Sequence, residues 1–415
     1  MNEKDFTRNR VLTFPILILY FINLAKKSLQ VSINSFFKLI LHSPVSKQAF
    51  SKARSKISPE TFRLLNKKLI EEYYTDNDFP TWNGFRLLAV DGSSFQYPQK
   101  ETLKTIFGTM KNQHGAVLGM ATLSHAYDVL SGLVLDTKIG ICKGAERDLF
   151  VKHVEEIDSL KQDKTDDLYI LDRGYPSLGL LFYLKSKKKN FVMRCKTSKC
   201  FSEIKKVIDS GKQDAIIRMY ARDGSDKQLA EIKKRAPTLD LKETYVEVRV
   251  ILVLLETGEK ELLITSLLSE KHPHSIFKGL YFKRWGAEEN YKWQKQVLEL
   301  ENFSGHSKLS VEQDVFSLVL TANLTSLLMN EAQNELQKED RQYKHEVKIN
   351  KRMAVSALRD ELVKVLFDKN VDFVAFCERL KEEFKKYLCP VRPNRTYKRP
   401  RKGRLKFGLT TRPCI

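Results

Sequence analysis

The sequence predicts an α/β fold: a mixed sheet flanked by helices, interrupted by an all-β insertion, with helical regions at both ends. Three patterns carry that expectation. Between residues 85 and 195, short apolar runs alternate with amphipathic stretches. From about 196 to 270 the alternation stops and strand-like runs follow one another. Before 80 and after 271 the apolar spacing is helical.

Taken in order, "RNRVLTFPILILYFINLAKK" resembles a signal peptide, but it has no small-residue cleavage site and is short for a membrane span of ~20 residues. A buried helix is the expected reading. "SPVSKQAFSKARSKISPETFRLLNKKLIEEYY" reads as two helices broken near Ser58-Pro59. Its Lys47, Lys52, Arg54 and Lys56 suit a helix-turn-helix-like reader of DNA, and equally any basic surface helix. "FRLLAVDGS" is a buried strand ending at Asp91, and "DDLYILDRGY" is another ending at Asp172. A hairpin with its turn near Ser131-Gly132 and an amphipathic helix, "GAERDLFVKHVEEIDSL", lie between them. "SLGLLFYLKSKKK" and "NFVMRCK" add a helix and a strand. "DAIIRMYA", "ETYVEVRVILVLLE" and "KELLITSLL" form the β-rich insertion, and one long helix is expected from about 275 to 301. The expected units are 1–80 (helical, DNA-binding), 81–195 and 271–338 (the two parts of the core), 196–270 (insertion) and 339–415 (helices and a basic tail). Residues 391–415 hold nine Lys or Arg and no acid, the composition of an extended arm.

At 415 residues with 42% hydrophobic content, the chain can bury a full core, which excludes global disorder. The 72 Lys and Arg outnumber 51 Asp and Glu, leaving a net charge of +21. That excess points to a nucleic-acid partner, with an anionic membrane surface the weaker alternative. The six cysteines form no C-x-x-C pair or regular framework, so they read as reduced thiols in a cytoplasmic protein, and zinc is not expected. His272-Pro-His274 reads as a loop. The ten basic residues from Lys185 to Lys212 fit either a solvated surface or a DNA-binding flank.

The densest chemistry lies in "YFKRWGAEENYKWQK", residues 281–295. On an ideal helix Tyr281, Arg284, Glu288 and Lys295 fall within an arc of about 60°, with Lys292 and Trp285 nearby. A docked helix should carry an apolar stripe there. A solvated i,i+4 ladder of Arg284 and Glu288 would also explain the pattern. Asp91 and Asp172, taken singly, are ordinary turn aspartates. Together, two strand-end carboxylates and a third from a helix would form a set of hard oxygen donors suited to Mg²⁺. Trp285 and Trp293 read as core residues, although either could stack on a base.

Y281-x2-R284-x3-E288-x6-K295 resembles the signature of DDE transposases of insertion-sequence family four, and "AVDGS" and "LDRGY" resemble that family's two aspartate motifs. The likeness runs from about 45 to about 330. It implies a ribonuclease-H-like core in which Asp91, Asp172 and Glu288 are catalytic and bind two Mg²⁺ ions, with Mn²⁺ able to substitute. It also implies that Tyr281, Arg284 and Lys295 contact DNA at the element's ends, with Lys292 and Arg173 beside them. The partners expected are terminal inverted repeats and target DNA, engaged by a homodimer, with no membrane, in a bacterial, nucleoid-associated setting. A metal-dependent nuclease on the same core and a catalytically inactive DNA-binding protein are the alternatives.

Overall fold

The computed structural model describes residues 5–392 except 8–9, 24–25, 76–77, 113, 145, 161–164, 199–200, 242–243, 256–257, 269, 340–342 and 368–369. Almost all of the expected basic arm, with Cys414, lies outside the described residues, as does Cys200.

Four helices open the fold: α1 (Phe14–Asn23), α2 (Leu29–Leu39), α3 (Lys47–Arg54) and α4 (Glu60–Thr75). The expected break at Ser58-Pro59 separates α3 from α4. Helix α1 is the apolar segment that resembles a signal peptide; Ile16 through Asn23 are all buried.

The sheet begins with β1 (Phe85–Gln96), α5 (Glu101–Phe107) and β2 (Thr109–Lys111), followed by the hairpin β3 (Val117–Asp128) and β4 (Leu133–Ile141). Gly132 closes that hairpin at φ 70°, a conformation that glycine adopts without strain. Then come α6 (Glu146–Asp158), β5 (Asp166–Leu171), α7 (Leu178–Ser186) and β6 (Asn190–Cys195). The strands lie in the order β4-β3-β1-β5-β6, with β3 antiparallel to β1, to β4 and to the short β2, and with β1, β5 and β6 mutually parallel. This is the ribonuclease-H-like arrangement the sequence led us to expect.

The insertion is not all-β. It contains α8 (Ser202–Asp209), β7 (Asp214–Tyr220), α9 (Asp226–Arg235), β8 (Tyr245–Leu254) and β9 (Lys260–Thr265). Both helices are short and highly charged, so their apolar stripes are thin: Ile204 and Val207 in α8, and Ile232 in α9. A capping box between Ser225 and Gln228 starts α9. Nor do the strands form a separate body. β9 pairs antiparallel with β6 and carries β8 and β7 outward, so the insertion lengthens the central sheet.

The chain continues through α10 (Ile276–Phe282), α11 (Trp285–Gln296), α12 (Lys308–Lys338), β10 (Val347–Ile349), α13 (Lys351–Phe367), α14 (Phe373–Lys385) and β11 (Leu388–Pro390). The single helix expected over 275–301 is therefore two. At the junction the amides of Lys283, Arg284, Gly286 and Ala287 each bond three residues back, a tight 3₁₀-type turn with no proline, whose one glycine, Gly286, already lies within α11. Helix α12 is the one helix among the described residues long and apolar enough to cross a membrane, and most of its apolar stretch is buried in the fold. It shares one core with α1, α2, α13 and α14, so the two ends of the chain pack together. Arg54, a candidate DNA reader, is buried there. Its guanidinium donates to Gln313 Oε1 at 2.8 and 3.0 Å and to Ser304 Oγ at 2.7 Å.

The positions of β1 and β5 matter most for the site. Arg86 and Asp167 face each other across the parallel register, and the guanidinium donates to Asp167 Oδ1 at 2.6–2.7 Å with both side chains nearly inaccessible. The Arg86 guanidinium also lies 4.7 Å from the centre of the Tyr74 ring. Removing one partner of such a pair leaves a buried charge uncompensated. We expect Arg86→Met to lower the unfolding free energy in urea by about 3–5 kcal/mol, and Arg86→Met with Asp167→Leu to recover most of that loss.

Candidate active site

Strand alternation decides which way the aspartates face. Along β1, Leu87 and Ala89 pack toward α10 and α11, whereas Leu88 and Val90 pack toward α6 and α7. Asp91 continues the first series, and Asp172 continues Leu168 and Ile170 on the same side. The last paired positions of the ladder are Val90 and Leu171. Asp91 and Asp172 therefore stand side by side where β5 leaves the sheet; β1 does not end at Asp91 as expected but runs on to Gln96, because β3 continues to pair with it, so Asp91 lies mid-strand and only Asp172 follows a strand end.

Glu288 arrives from the first turn of α11. One guanidinium joins it to the strands: Arg284 Nη2 lies 2.6 Å from Glu288 Oε1, and Nη1 lies 3.6 Å from Asp91 Oδ2. Tyr281 completes the link by donating to Asp172 Oδ1 at 3.3 Å. A second tether runs through α11 itself, because Tyr291 donates its hydroxyl to the backbone carbonyl of Asp91 at 2.8 Å. Arg284 thus joins two acids 197 residues apart in sequence, and Tyr281, on the preceding helix, reaches the third.

Of the five candidate DNA contacts, only Arg173 and Lys292 are exposed. Tyr281 and Arg284 are buried against the carboxylates. Lys295 is turned to β1, donating to Ser93 Oγ at 2.8 Å and Ser94 O at 2.5 Å. Trp293 is in the core, but Trp285, expected there too, is 43% exposed, because the turn at 283–284 presents it to solvent. The basic run divides. Helix α7 carries Lys185 back to the start of β6, so Lys185, Lys187, Lys188 and Lys189 sit at the end of the sheet opposite the aspartates. Lys196 follows the end of β6 on their side. There it joins Arg147, Arg173 and Lys227 around an open cleft of about 660 Å³, between the Asp172 loop and the insertion.

Burial pushes the Asp91 carboxyl up to about 6; Glu288 and Asp172 add to this, while the Gly92 amide and Arg284 oppose it. Burial also works against the charge on Arg284, but Tyr281, Glu288, Asp172 and Asp91 outweigh it and hold the guanidinium above its ordinary value. Burial lowers Lys295. Nearby, His125 is fully enclosed and pushed down to about 4. Gln294 Oε1 can only accept, so His125 Nε2 donates to it at 2.9 Å.

The donor chemistry suits a hard divalent cation: carboxylate oxygens where the β1–β5 ladder ends and on the first turn of α11. As the side chains stand, no three acidic, histidine or cysteine groups among the described residues are gathered closely enough to enclose an ion. Arg284 stands between two of the three expected ligands.

One acidic neighbour escaped the sequence reading. Glu146, at the start of α6, directs its carboxylate at the aspartate loops; a Cβ on Gly92 would lie 3.0 Å from its Oε1, and one on Gly174 would lie 3.6 Å from its Oε2. The only sequence signal was an acid opening the helix that links the two aspartate strands.

Residues 82–324 match the transposase DDE domain. The chain belongs to that family. This agrees with the resemblance drawn from the Tyr281–Lys295 signature. The transposase InsG for insertion sequence element IS4, from Escherichia coli (strain K12), is 24% identical over 290 residues, covering 69% of this chain and 61% of that protein. Among solved structures, a cryo-EM piggyBac transposase synaptic complex with hairpin DNA shares 10% identity and has a TM-score of 0.43, over 92% of this chain and 76% of that one. The matched transposase DDE domain includes Asp91, Asp172, Arg284 and Glu288, and extends through the insertion into α12.

The opposed shifts of Asp91 and His125 give a pH signature. A carboxyl raised from 3.8 to about 6 favours the fold at low pH, and that contribution is lost as pH rises through about 6. A histidine lowered from 6.5 to about 4 favours the fold above 6.5, and that contribution is lost as pH falls toward 4. Asp91→Asn should therefore raise the unfolding free energy at pH 7.5 by roughly 1–2 kcal/mol. It should also make the melting temperature fall more steeply than in the wild type between pH 6.5 and 4.5. Parallel melting curves would refute this.

Proposed function

We propose that the protein is a DNA transposase that nicks the ends of a mobile element and joins the freed 3′-hydroxyl ends to target DNA by cut-and-paste phosphoryl transfer. The reading rests above all on the convergence of Asp91, Asp172 and Glu288 around Arg284. Divalent ions held by these carboxylates, Mg²⁺ first and Mn²⁺ as a substitute, would supply two-metal activation of the attacking oxygen and stabilisation of the leaving one. The protein's own groups do the rest. Arg284 balances charge among the carboxylates and moves to the phosphate when DNA arrives, since a guanidinium binds either oxyanion through the same fork. Tyr281 holds Asp172. Lys295 fixes the segment of β1 just past Asp91. Arg173 and Lys292, already at the surface, meet the backbone of the element's terminal repeats. The helical N-terminal region, through Lys47 and Lys52, extends that contact. Two ends joined in one event require two copies of the chain, and such a protein works on the bacterial nucleoid in the cytoplasm.

The test uses the full chain with linear DNA carrying the inverted repeats that border its gene. We expect Mg²⁺-dependent nicks with 3′-hydroxyl ends and joined products, and Asp91→Asn should abolish both while keeping end binding. Cutting without joining would favour a nuclease; binding with no cleavage under any divalent ion would favour an inactive DNA-binding protein. Arg173→Ala and Lys292→Ala should each reduce the salt dependence of end binding by about one power of the salt concentration. Because both residues are exposed, the melting temperature should not change.

A further inference from the structure

We propose that Tyr175 is a positioning residue of the phosphoryl-transfer site, its hydroxyl a neutral donor kept for the aspartate carboxylates when Arg284 turns from them to the phosphate. The inference rests on the functional reading above and adds a residue that reading did not contain.

The loop after β5 places it. The Tyr175 amide donates to the Asp172 carbonyl at 3.1 Å, closing a four-residue turn that brings the tyrosine back against the end of the β1–β5 ladder. Its ring packs in the cluster that holds Val90, Leu171 and Phe150, and meets Phe150 edge-on at 5.8 Å between ring centres. The residue is 1% exposed.

The hydroxyl is the unusual part. Buried tyrosines nearby use theirs: Tyr74 donates to Asp128 at 2.6 Å, and Tyr291 to the Asp91 carbonyl at 2.8 Å. Tyr175 Oη is enclosed yet has no hydrogen-bond partner among the described residues. An enclosed hydroxyl left unpaired costs free energy that a phenylalanine in the same space would not. Tyr169 shares this condition, but the charges acting on it are those of Asp167, Asp158 and Arg86, away from the site. Those acting on Tyr175 are Glu146, Asp91, Asp172 and Arg284. Burial, reinforced by the three carboxylates, holds its phenol well above the ordinary value, so it stays a donor.

The need for such a donor follows from how the carboxylates are held. Asp91 and Glu288 share Arg284, and Asp172 accepts from Tyr281. Once the guanidinium binds the phosphate, Asp91 loses its cation while still half-buried. A second cation in its place would compete for the phosphate and repel incoming divalent ions. An uncharged O–H orients an ionised carboxylate and does neither.

The experiment compares the full-length wild type with Tyr175→Phe and Tyr169→Phe, on linear DNA carrying the element's ends. Each variant removes one unpaired hydroxyl and keeps the ring, so neither should lower the melting temperature. Tyr175→Phe should slow single-turnover nicking at saturating DNA by about tenfold or more and leave end binding in chelator unchanged. It should also weaken Mn²⁺ binding, followed by the paramagnetic resonance of the free ion, in a measurement that needs no turnover. Tyr169→Phe should match the wild type throughout. If Tyr175→Phe nicks and binds Mn²⁺ like the wild type, or loses both only together with a lower melting temperature, the hydroxyl positions nothing and the functional reading stands. If the wild type itself neither nicks nor binds Mn²⁺, the functional reading falls, and this inference with it.

Discussion

The register between β1 and β5 is the constraint on which the rest of the site depends. It is held by Arg86 and Asp167, a buried pair directly opposed across the parallel ladder. Counting five residues along each strand from that pair gives Asp91 and Asp172. A slip of one residue would turn one aspartate to the opposite face of the sheet and bury it among Phe150, Val154 and Leu181. The lock and the two aspartates thus sit at opposite ends of the β1–β5 ladder. The ion pair adds little net stability of its own, because desolvation offsets much of its attraction. Its contribution is alignment.

The electrostatics of the site then follow as a compromise. Bringing carboxylates together under partial burial raises Asp91, and the fold answers with one buried guanidinium that reaches two of them. Arg284 can do this only because the tight turn at 283–284 sets it one turn before Glu288, while Tyr281 on the preceding helix reaches Asp172. A site so composed is less stable than an apolar replacement would be, a usual trade between stability and activity. Asp91 and Glu288 are kept apart by a guanidinium, whose fork suits carboxylate and phosphate alike.

How much of this the sequence disclosed depends on the range of the interaction concerned. The two aspartates were legible because an apolar run stopping at Asp is a local event, but β1 runs on past Asp91 to Gln96, since its pairing with β3 does not depend on apolar side chains. The core topology was legible from alternating periods. The two-helix break was not, since Lys283 and Arg284 keep helical dihedral angles and only the hydrogen-bond spacing changes. Helices α8 and α9 were missed because so few of their residues are apolar. Arg54 was misjudged because arginine is normally at the surface, and only the fold reveals Gln313 and Ser304 waiting for it. Glu146 belongs to a third kind: an unremarkable acid in sequence, made notable by two glycines that lie 54 residues before it and 28 after it.

The pairing of β9 with β6 has a further consequence for shortened copies of the chain. Glu288 lies beyond β9, so a product ending before residue 260 would lose more than its third acid. It would also leave β6 as an uncovered strand, with a row of unsatisfied amides and carbonyls beside the apolar Val192 and Met193. Such a fragment is a template for self-association, so premature termination in this gene would yield a protein prone to clump.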